Sequence, residues 1–551
     1  MNRPFRYDVF VSLLFVVVLL LPLLFSVPDR NVAVSAVEKR KLAEFPDFPH
    51  SAAALKSFPK AFEAWYEDHF GFREAIVRAH NYTLLKIFGI SPHDMVVAGS
   101  DGWYFFNADG AISDYLGRVR YNRKQLERIA WTLQNRSEWL RSLGIRYLYL
   151  PIPNKEAVYE EHLPLILRKN KGYDSYSQIV DHLRAGGRFT DFIDTKELLV
   201  RKKNEAQLYF RTDSHWNYDG SGLVHRAIVS RLQQWFPDIR PLREKDGKEW
   251  EQGFSGDLAV LINLGGLVTE TAPALNILEE CDAGALQPWT RLTELPEYAG
   301  FPTHRLPVAN GCREKRRKAI VIHDSFGLFL RPYLSQHFAA VVYVNTMNFE
   351  DARPLIERER PDVVLDLRVA RSIDRSVLPD PELEQRLLPE KFAASGPAAI
   401  RIDQSNWQDF LYKSRKTAIR ETARGLELSF AGPGASVHLH LNNGRQLATP
   451  LLVRIQGTSK ERQTMSLCSH LRGSRGELQQ QVCEERNLQE GVNQVFLRLY
   501  DPQPEEILEL AAGGAGSFTL HSLEARQETA PAQGSGVGTN FSTVQGEEAG
   551  R

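Results

Sequence analysis

Apolar and polar residues follow two different periods in the middle of the chain. Residues 122–143 carry apolar side chains at helical spacing, and Gly144 ends that pattern. Residues 145–152 form a short run of mainly apolar and aromatic residues, as is typical of a strand buried on both faces. Together the two segments predict a helix followed by a strand, which is half of a parallel α/β unit.

The same alternation returns further along the chain. Apolar strands are predicted at 318–322, 341–344 and 363–367, and a helix is predicted at 349–358. Helices that alternate with short apolar strands indicate a parallel sheet covered on both faces. We therefore predict an α/β catalytic core over residues 89–388.

Beyond residue 393 the apolar positions recur with a period of two. Glycine and Asn-Gly turns separate five such segments, which are 426–430, 437–441, 451–455, 495–500 and 518–523. This pattern predicts an all-β sandwich of the jelly-roll kind over 393–527. The last residues, 528–551, are rich in Gly, Ser, Thr, Gln and Glu, a composition typical of a disordered tail.

A long apolar run lies near the N-terminus. Residues 9–27 are almost entirely apolar, which is just enough to span a bilayer, and two preceding arginines favour a cytoplasmic N-terminus. We predict a membrane anchor over 1–30, then a stalk and packing helices over 31–88, with the remainder exported. The alternative is a signal peptide cleaved near the small residues 33–36, but the run is longer than a usual signal core.

Composition narrows the possible functions. Lys plus Arg equals Asp plus Glu at 68 each, so no net charge draws the chain toward nucleic acid and we expect no such partner. The four cysteines, Cys281, Cys312, Cys468 and Cys483, form two sequence-local pairs without zinc-ligand spacing. They suit two disulfides in an oxidising compartment, although four buried thiols in a cytosolic protein would look the same.

Two short runs carry the residue types of nucleophilic catalysis. Ser325 follows the strand predicted at 318–322, at the end where parallel sheets bind substrates. A serine hydroxyl needs a base, and His215 has Asp213 two residues earlier. On an extended segment such positions project to the same side, so Asp213 can orient the imidazole. We predict a Ser325, His215 and Asp213 triad, with the amide of Ser325, at the start of the following helix, as a candidate oxyanion donor.

Other interpretations of these residues stay open. Asp213 could instead cap the next helix while His215 packs, and we treat Asp324 as structural because adjacent side chains diverge. His438 and His440 share a predicted strand face, but no third ligand is close in sequence, so we predict neither a metal nor a cofactor. GxSxG and HExxH runs are missing, which disfavours the enzyme classes that use them.

Short motifs also follow one another in a defined order between about residues 37 and 371. They are DHFGFR at 68–73, GWYF at 102–105, PNK at 153–155 with Tyr159 and Leu163-Pro164, DSHW at 213–216, GDLA at 256–259, HDSF at 323–326 and PDVV at 361–364. This series resembles the AlgX and AlgJ type of alginate O-acetylation proteins, whose domain is a variant of the SGNH hydrolases. The resemblance implies an SGNH-hydrolase-like parallel sheet flanked by helices.

The resemblance also implies site residues. The Asp-x-His pair and the later serine of that family correspond to Asp213, His215 and Ser325. One departure is that the family serine often follows Gly-Asp, whereas His323 occupies the glycine position here. We expect His323 either to crowd the nucleophile or to line the acyl pocket.

The function implied is an O-acetyltransferase that moves acetyl groups onto an exported polysaccharide through an acyl-enzyme. Its expected partners are the polysaccharide acceptor and a membrane-bound O-acyltransferase as acetyl donor. The expected location is the inner membrane, with a single pass and the bulk of the chain in the periplasm. The β region is reminiscent of the carbohydrate-binding module of AlgX. Alternatives are an acetyl-esterase with the same triad, and a non-catalytic glycan-binding scaffold of an exopolysaccharide assembly complex.

Overall fold

The computed structural model describes residues 9–17, 34–35, 40–289, 306–441, 450–472, 478–500 and 506–528. Residues 1–8 and 18–30 of the predicted anchor, and residues 529–551 of the predicted tail, lie outside the described residues. Residues 9–17 are helical, and none of the described helices combines the length and apolar character needed to cross a membrane. Contacts divide the chain into a first unit, residues 1–120 and 140–378, and a second unit, residues 121–139 and 379–551.

The strands, and the helices from residue 52 onward, are numbered in chain order. The strands are β1 Val34–Ser35, β2 Arg40–Lys41, β3 Val96–Ala98, β4 Tyr104–Phe106, β5 Arg146–Ile152, β6 Trp250–Phe254, β7 Glu270–Pro273, β8 Gln287–Pro288, β9 Val308–Asn310, β10 Lys318–His323, β11 Ala340–Asn345, β12 Val363–Val369, β13 Ala398–Ile402, β14 Leu411–Arg415, β15 Thr417–Thr422, β16 Gly425–Ala431, β17 Ser436–His440, β18 Leu451–Ser459, β19 Gln463–Arg472, β20 Leu478–Leu488, β21 Gly491–Leu499, β22 Glu506–Ala512 and β23 Ala515–Gln527. The helices are α1 Ala52–Asp68, α2 Arg73–Ile87, α3 Ala111–Tyr115, α4 Arg123–Ser142, α5 Leu165–Lys169, α6 Ser175–Gly186, α7 Thr195–Lys202, α8 Tyr218–Trp235, α9 Asp257–Leu261, α10 Arg331–Leu334, α11 Phe349–Glu359, α12 Ile373–Ser376 and α13 Pro381–Ala394.

The first unit is built on a sheet with the strand order β5-β12-β10-β11-β9-β8. Strands β5, β12, β10 and β11 are parallel, and β9 and β8 continue the sheet in antiparallel pairing. The four parallel strands confirm those predicted from apolar runs. The sequence did not predict β8 and β9, because strands of two and three residues are too short to show a period.

The parallel strands are buried because helices contribute to a shared core. Leu148 of β5 and Val321 of β10 belong to the same apolar cluster as Val224 and Ile228 of α8. This arrangement confirms a parallel sheet flanked by helices. It places the carboxyl ends of β5, β12 and β10 next to one another at one edge of the sheet. Ser325, the predicted nucleophile, follows β10 at this edge.

Helix α8 begins at Tyr218, directly after its cap residue Asn217. The side-chain oxygen of Asn217 accepts hydrogen bonds from the backbone amides of Asp219 and Gly220, at 3.0 and 3.1 Å. Such a cap satisfies amides that have no partner inside the helix. The helix therefore starts directly after the segment that carries the predicted Asp-x-His pair.

The second unit contains two antiparallel sheets. One has the order β15-β16-β23-β18-β21, with β13 also paired to β23, and the other has the order β14-β17-β22-β19-β20. Leu428 and Val453 of the first sheet share an apolar core with Leu467 and Leu510 of the second. The sheet-rich character predicted for this region is confirmed, while its finer jelly-roll assignment stays a prediction.

Helical segments also belong to the second unit. Lys124, in α4, forms an ion pair with Glu506 of β22, and Arg498 of β21 donates to Asn135 of α4 at 3.1 Å. The first part of α4 is thus placed with the β sheets by its contacts. The domain boundaries drawn from the sequence stay predictions.

The cysteines form two disulfides, Cys281–Cys312 in the first unit and Cys468–Cys483 in the second. The second bond joins residues that face each other on β19 and β20. Of the two states that the sequence left open, the structure therefore has the oxidised one.

Candidate active site

Three side chains from separate parts of the first unit meet at the carboxyl end of β10. The Nε2 atom of His215 lies 2.7 Å from the hydroxyl oxygen of Ser325, and its Nδ1 atom lies 2.6 Å from Oδ1 of Asp213. Ser325 comes two residues after the end of β10, whereas Asp213 and His215 precede α8. The structure therefore brings together the three residues that the sequence proposed as a triad, and their catalytic roles stay predictions.

The Asp-x-His segment has a tight local fold. Tyr209 and Trp216 form an antiparallel bridge, so the chain between them turns back on itself and presents Asp213 and His215 on one side. The indole N–H of Trp216 donates to the carbonyl of Phe326 at 3.0 Å. This bond connects the base to the segment that carries the nucleophile, which keeps the separation of the two side chains short.

Asp213 is held by several donors. Its Oδ1 also accepts from the backbone amide of His215 at 3.0 Å, and its Oδ2 accepts from the amide of Asp257 at 2.8 Å. Burial alone would raise the pKa of Asp213, but the hydrogen bond and charge of His215, with these two amides, lower it. Asp213 is therefore ionised at neutral pH and can stabilise an imidazolium.

Asp257 is a second carboxylate beside the triad. It accepts from the hydroxyl of Ser214 at 2.6 Å and lies 3.7 Å from Nδ1 of His215. Burial and the charge of Asp213 raise the pKa of Asp257. Gly256 comes directly before it, and a Cβ at that position would lie 2.3 Å from Cβ of Asp213. The GDLA motif thus has a role beside the triad that the sequence did not assign.

Asp213, His215 and Asp257 could also be considered as metal ligands, since one ligand atom from each lies within 4.8 Å of the others. The hydrogen bonds favour a proton relay instead. His215 directs one nitrogen to Asp213 and the other to Ser325, so both ring nitrogens are already used by the triad.

The segment after β10 is not the α-helix that the sequence predicted. Ser325–Phe329 is a five-residue 3-10 segment, and the next α-helix, α10, has four residues, so the macrodipole of a long helix is missing here. Asp324 accepts from the amides of Phe326 at 3.0 Å and Val369 at 2.8 Å through its two oxygens. These contacts support the structural role assigned to Asp324 from the sequence, because both of its carboxylate oxygens accept hydrogen bonds from backbone amides.

His323 is fully buried below this segment. Its Nδ1–H donates to the carbonyl of Asp324 at 2.6 Å, and its Nε2 accepts from Arg331 at 3.1 Å. Burial, together with the charge of Arg331, lowers the pKa of His323 to about 3, so the ring is neutral. A Cβ on Gly327 would lie 2.4 Å from the ring. The side chain of His323 thus packs against the serine segment, and its role toward the nucleophile or the acyl group stays a prediction.

Lys155, from the PNK motif, binds the backbone of the triad loop. Its Nζ donates to the carbonyls of Tyr104, Arg211 and Asp213 at 2.6, 2.9 and 2.9 Å, and it lies 5.1 Å from the ring of Trp103. Three acceptors match the three N–H groups of an ammonium group. Burial lowers the pKa of Lys155 to about 7, while nearby carboxylates oppose this shift. The sequence showed the motif but not this contact.

Asn154 and Arg371 lie at the same end of the sheet. Arg371 donates to Oδ1 of Asn154 at 3.2 Å, and its guanidinium carbon lies 5.7 Å from the centre of the Phe326 ring. Each follows the last residue of a parallel strand, β5 or β12, by two positions. Because β12 pairs with both β5 and β10, this position in sequence could have identified both as site residues.

A parallel sheet with a serine beyond one strand and an Asp-x-His pair from a separate loop defines an SGNH hydrolase-like domain. Residues 96–287 match the family model described as an SGNH hydrolase-like domain of acetyltransferase AlgX. These residues are therefore similar to the AlgX-type SGNH-like family, which confirms the resemblance seen in the motifs. The matched range contains Asp213 and His215 but ends before Ser325, so the assignment of the serine rests on the geometry.

Two curated relatives are named as probable alginate O-acetylases. The chain is 25% identical over 232 residues to the probable alginate O-acetylase AlgJ of Pseudomonas aeruginosa, covering 40% of this chain and 54% of that protein. It is 24% identical over 264 residues to the protein of that name from Pseudomonas fluorescens, covering 45% and 60%. The chain thus matches less than two thirds of the length of either relative.

Solved structures also resemble the chain. The O-acetyltransferase domain of Pseudomonas putida AlgJ has a TM-score of 0.32 at 16% identity, covering 51% of this chain and 92% of that domain. AlgX of Pseudomonas aeruginosa has a TM-score of 0.34 at 11% identity, covering 78% of this chain and 93% of that protein.

Proposed function

We propose that this chain transfers acetyl groups to hydroxyls of an exported polysaccharide through an acetyl-enzyme on Ser325. The observation that carries the proposal is the contact of the Ser325 hydroxyl with Nε2 of His215, whose other nitrogen is held by Asp213. The acetyltransferase description of the matched family and the names of the two relatives support acetyl transfer as the reaction.

The first half-reaction forms the acetyl-enzyme. His215 removes the proton of Ser325 as the oxygen attacks the carbonyl carbon of an acetyl ester, and Asp213 stabilises the imidazolium. The tetrahedral intermediate collapses by breaking the bond to the donor oxygen, which receives the proton from His215. In the second half-reaction a sugar hydroxyl loses its proton to His215 and attacks the acetyl group. The proton then returns to Ser325, and acetylated sugar leaves.

The oxyanion needs donors near Ser325. The amides of Phe326 and Gly327 are already bonded to the side chain and carbonyl of Asp324, so we assign the amide of Ser325 as one donor. The side-chain N–H groups of Asn154 are our second assignment. Since Oδ1 of Asn154 accepts from Arg371, the opposite edge of its amide is oriented to donate elsewhere.

The partners and location belong to the same proposal. We assign a polysaccharide as acceptor, a membrane-bound O-acyltransferase as acetyl donor, and the periplasmic side of the inner membrane as the location. The two disulfides support this location, because such bonds persist in oxidising compartments. The antiparallel sheets of the second unit, which we assign to a jelly-roll sandwich, would bind the glycan.

A transfer assay on the purified chain tests this function. The chain is incubated with a small acetyl ester and candidate glycans, and acetylated sugar and free acetate are both measured. We expect acetylated sugar in excess of acetate, and a covalent acetyl group on Ser325 by mass spectrometry. Ser325→Ala should abolish both products, whereas Ser57→Ala, an exposed serine on α1, should change neither.

The other outcomes separate the alternatives. Free acetate without acetylated sugar would identify an esterase, since water then outcompetes the sugar hydroxyl at the acetyl-enzyme. Glycan binding that survives in the Ser325→Ala variant, with no acetyl-enzyme in the unaltered chain, would identify a scaffold. Either result would reject the transferase proposal.

A further inference from the structure

A cluster of two histidines and one glutamate lies on the sheet β14-β17-β22-β19-β20 of the second unit. His438 is on β17, Glu509 is on β22 and His470 is on β19, and β22 lies between the other two strands. His438 is directly opposite Glu509 in the register, so the two side chains project from the same face. The sheet therefore brings together three potential metal ligands that are distant along the chain.

The distances in this cluster suit one shared ion. Oε2 of Glu509 lies 2.6 Å from Nε2 of His470, and Oε1 lies 3.4 Å from Nε2 of His438. One ligand atom from each residue lies within 4.8 Å of the other two. Tetrahedral Zn²⁺ with bonds of about 2.0–2.1 Å keeps its ligand atoms about 3.3 Å apart. Small side-chain rotations would therefore bring all three ligands around one ion.

The two histidines of the cluster are buried. His438 and His470 are only 5% and 7% exposed. Each directs its Nε2 atom toward a carboxylate oxygen of Glu509, so both candidate nitrogen ligands face the carboxylate.

We propose that His438, His470 and Glu509 bind one Zn²⁺ ion that links β17, β22 and β19. Two imidazoles and a carboxylate are a ligand set that Zn²⁺ uses, whereas Mg²⁺ and Ca²⁺ prefer oxygen ligands alone. The sequence suggested His440 as the neighbour of His438 and offered no third ligand. The fold supplies His470 and Glu509 instead, while the ring of His440 lies 5.0 Å from that of Tyr412.

Zinc titration of the purified full chain tests the site. The protein carries no polyhistidine tag, is stripped of metal with a chelator, and is titrated with Zn²⁺ by calorimetry, with bound metal counted by mass spectrometry. We expect Zn²⁺ to bind this cluster, and binding to weaken by about 100-fold in His470→Ala and in Glu509→Gln, since each loses a ligand. His440→Ala is the matched control on the same strand and should bind as the unaltered chain does.

Two further measurements distinguish the loss of a zinc ligand from misfolding and from zinc binding at the triad. Glu509→Gln keeps the shape of the side chain, and circular dichroism in chelator checks that the variants are folded. Asp213, His215 and Asp257 form the other candidate cluster among the described residues, so His215→Ala should leave this zinc binding unchanged. Absence of zinc binding, or binding that persists in both His470→Ala and Glu509→Gln, would overturn the proposal. Acetyl transfer is measured separately, because the zinc site lies in the second unit and its failure says nothing about the triad.

Discussion

Replacing Lys155 with methionine should lower both the stability of the protein and the activity of the triad, although it changes none of the three triad side chains. Lys155 donates to the carbonyls of Tyr104, Arg211 and Asp213. The carbonyl of Arg211 also accepts from the amide of Tyr104, so it keeps a donor after the change. The carbonyls of Tyr104 and Asp213 lose this donor in a buried site, at about 1–3 kcal/mol for each unsatisfied group. We therefore expect Lys155→Met to lower the free energy of unfolding by about 2–6 kcal/mol.

The effect on activity follows from the position of Asp213. Without the ammonium group, the backbone at Asp213 can shift, and the carboxylate then no longer aligns His215 with Ser325. A misplacement of about 1 Å can lower the rate by about 100-fold. Because Lys155 bonds backbone carbonyls of the triad loop, the loss should appear in kcat while KM stays close to its original value.

Unfolding in urea and steady-state kinetics with an acetyl ester measure the two effects. The kinetics are recorded below the urea range in which the variant begins to unfold, so that the folded enzyme is compared. Lys169→Met removes an exposed lysine of α5 and serves as the control, with both properties expected to stay unchanged. An unchanged kcat in folded Lys155→Met, or a fall explained entirely by unfolded protein, would refute the positioning role.

Three further predictions concern other groups. Burial raises the pKa of Glu156 to about 7. The folded protein therefore loses stability as the pH rises from about 4.5 through 7, because the buried carboxyl must then ionise. Glu156→Gln should unfold at a higher urea concentration than the unaltered chain at pH 8, and at nearly the same concentration at pH 5. Asp213→Asn should lower kcat by about 10³–10⁴-fold in the ester assay, because the amide stabilises the wrong imidazole tautomer, and near-normal turnover would contradict that role. Cys281→Ser with Cys312→Ser opens a loop of 31 residues and should lower the free energy of unfolding in urea by about 2–4 kcal/mol, whereas unchanged stability would contradict the prediction.

The sequence by itself determined features that depend on near neighbours. The apolar runs of β10 and β12 predicted buried strands, because a strand covered on both faces needs apolar residues at consecutive positions. The spacing of Asp213 and His215 predicted their contact, because residues two apart on an extended segment project to the same side. Local spacing was therefore enough to propose Asp213 as orienter and His215 as base.

The tertiary structure decided everything that depends on segments far apart in sequence. Ser325 is 110 residues from His215, and their contact exists because the loop before α8 closes over the end of β10. The contacts of Lys155 and Asp257 with the triad loop, and of His470 with Glu509, arise in the same way. Local periodicity records which face of a strand is buried, but strand order and loop packing decide which side chains share that face, and these depend on the whole fold.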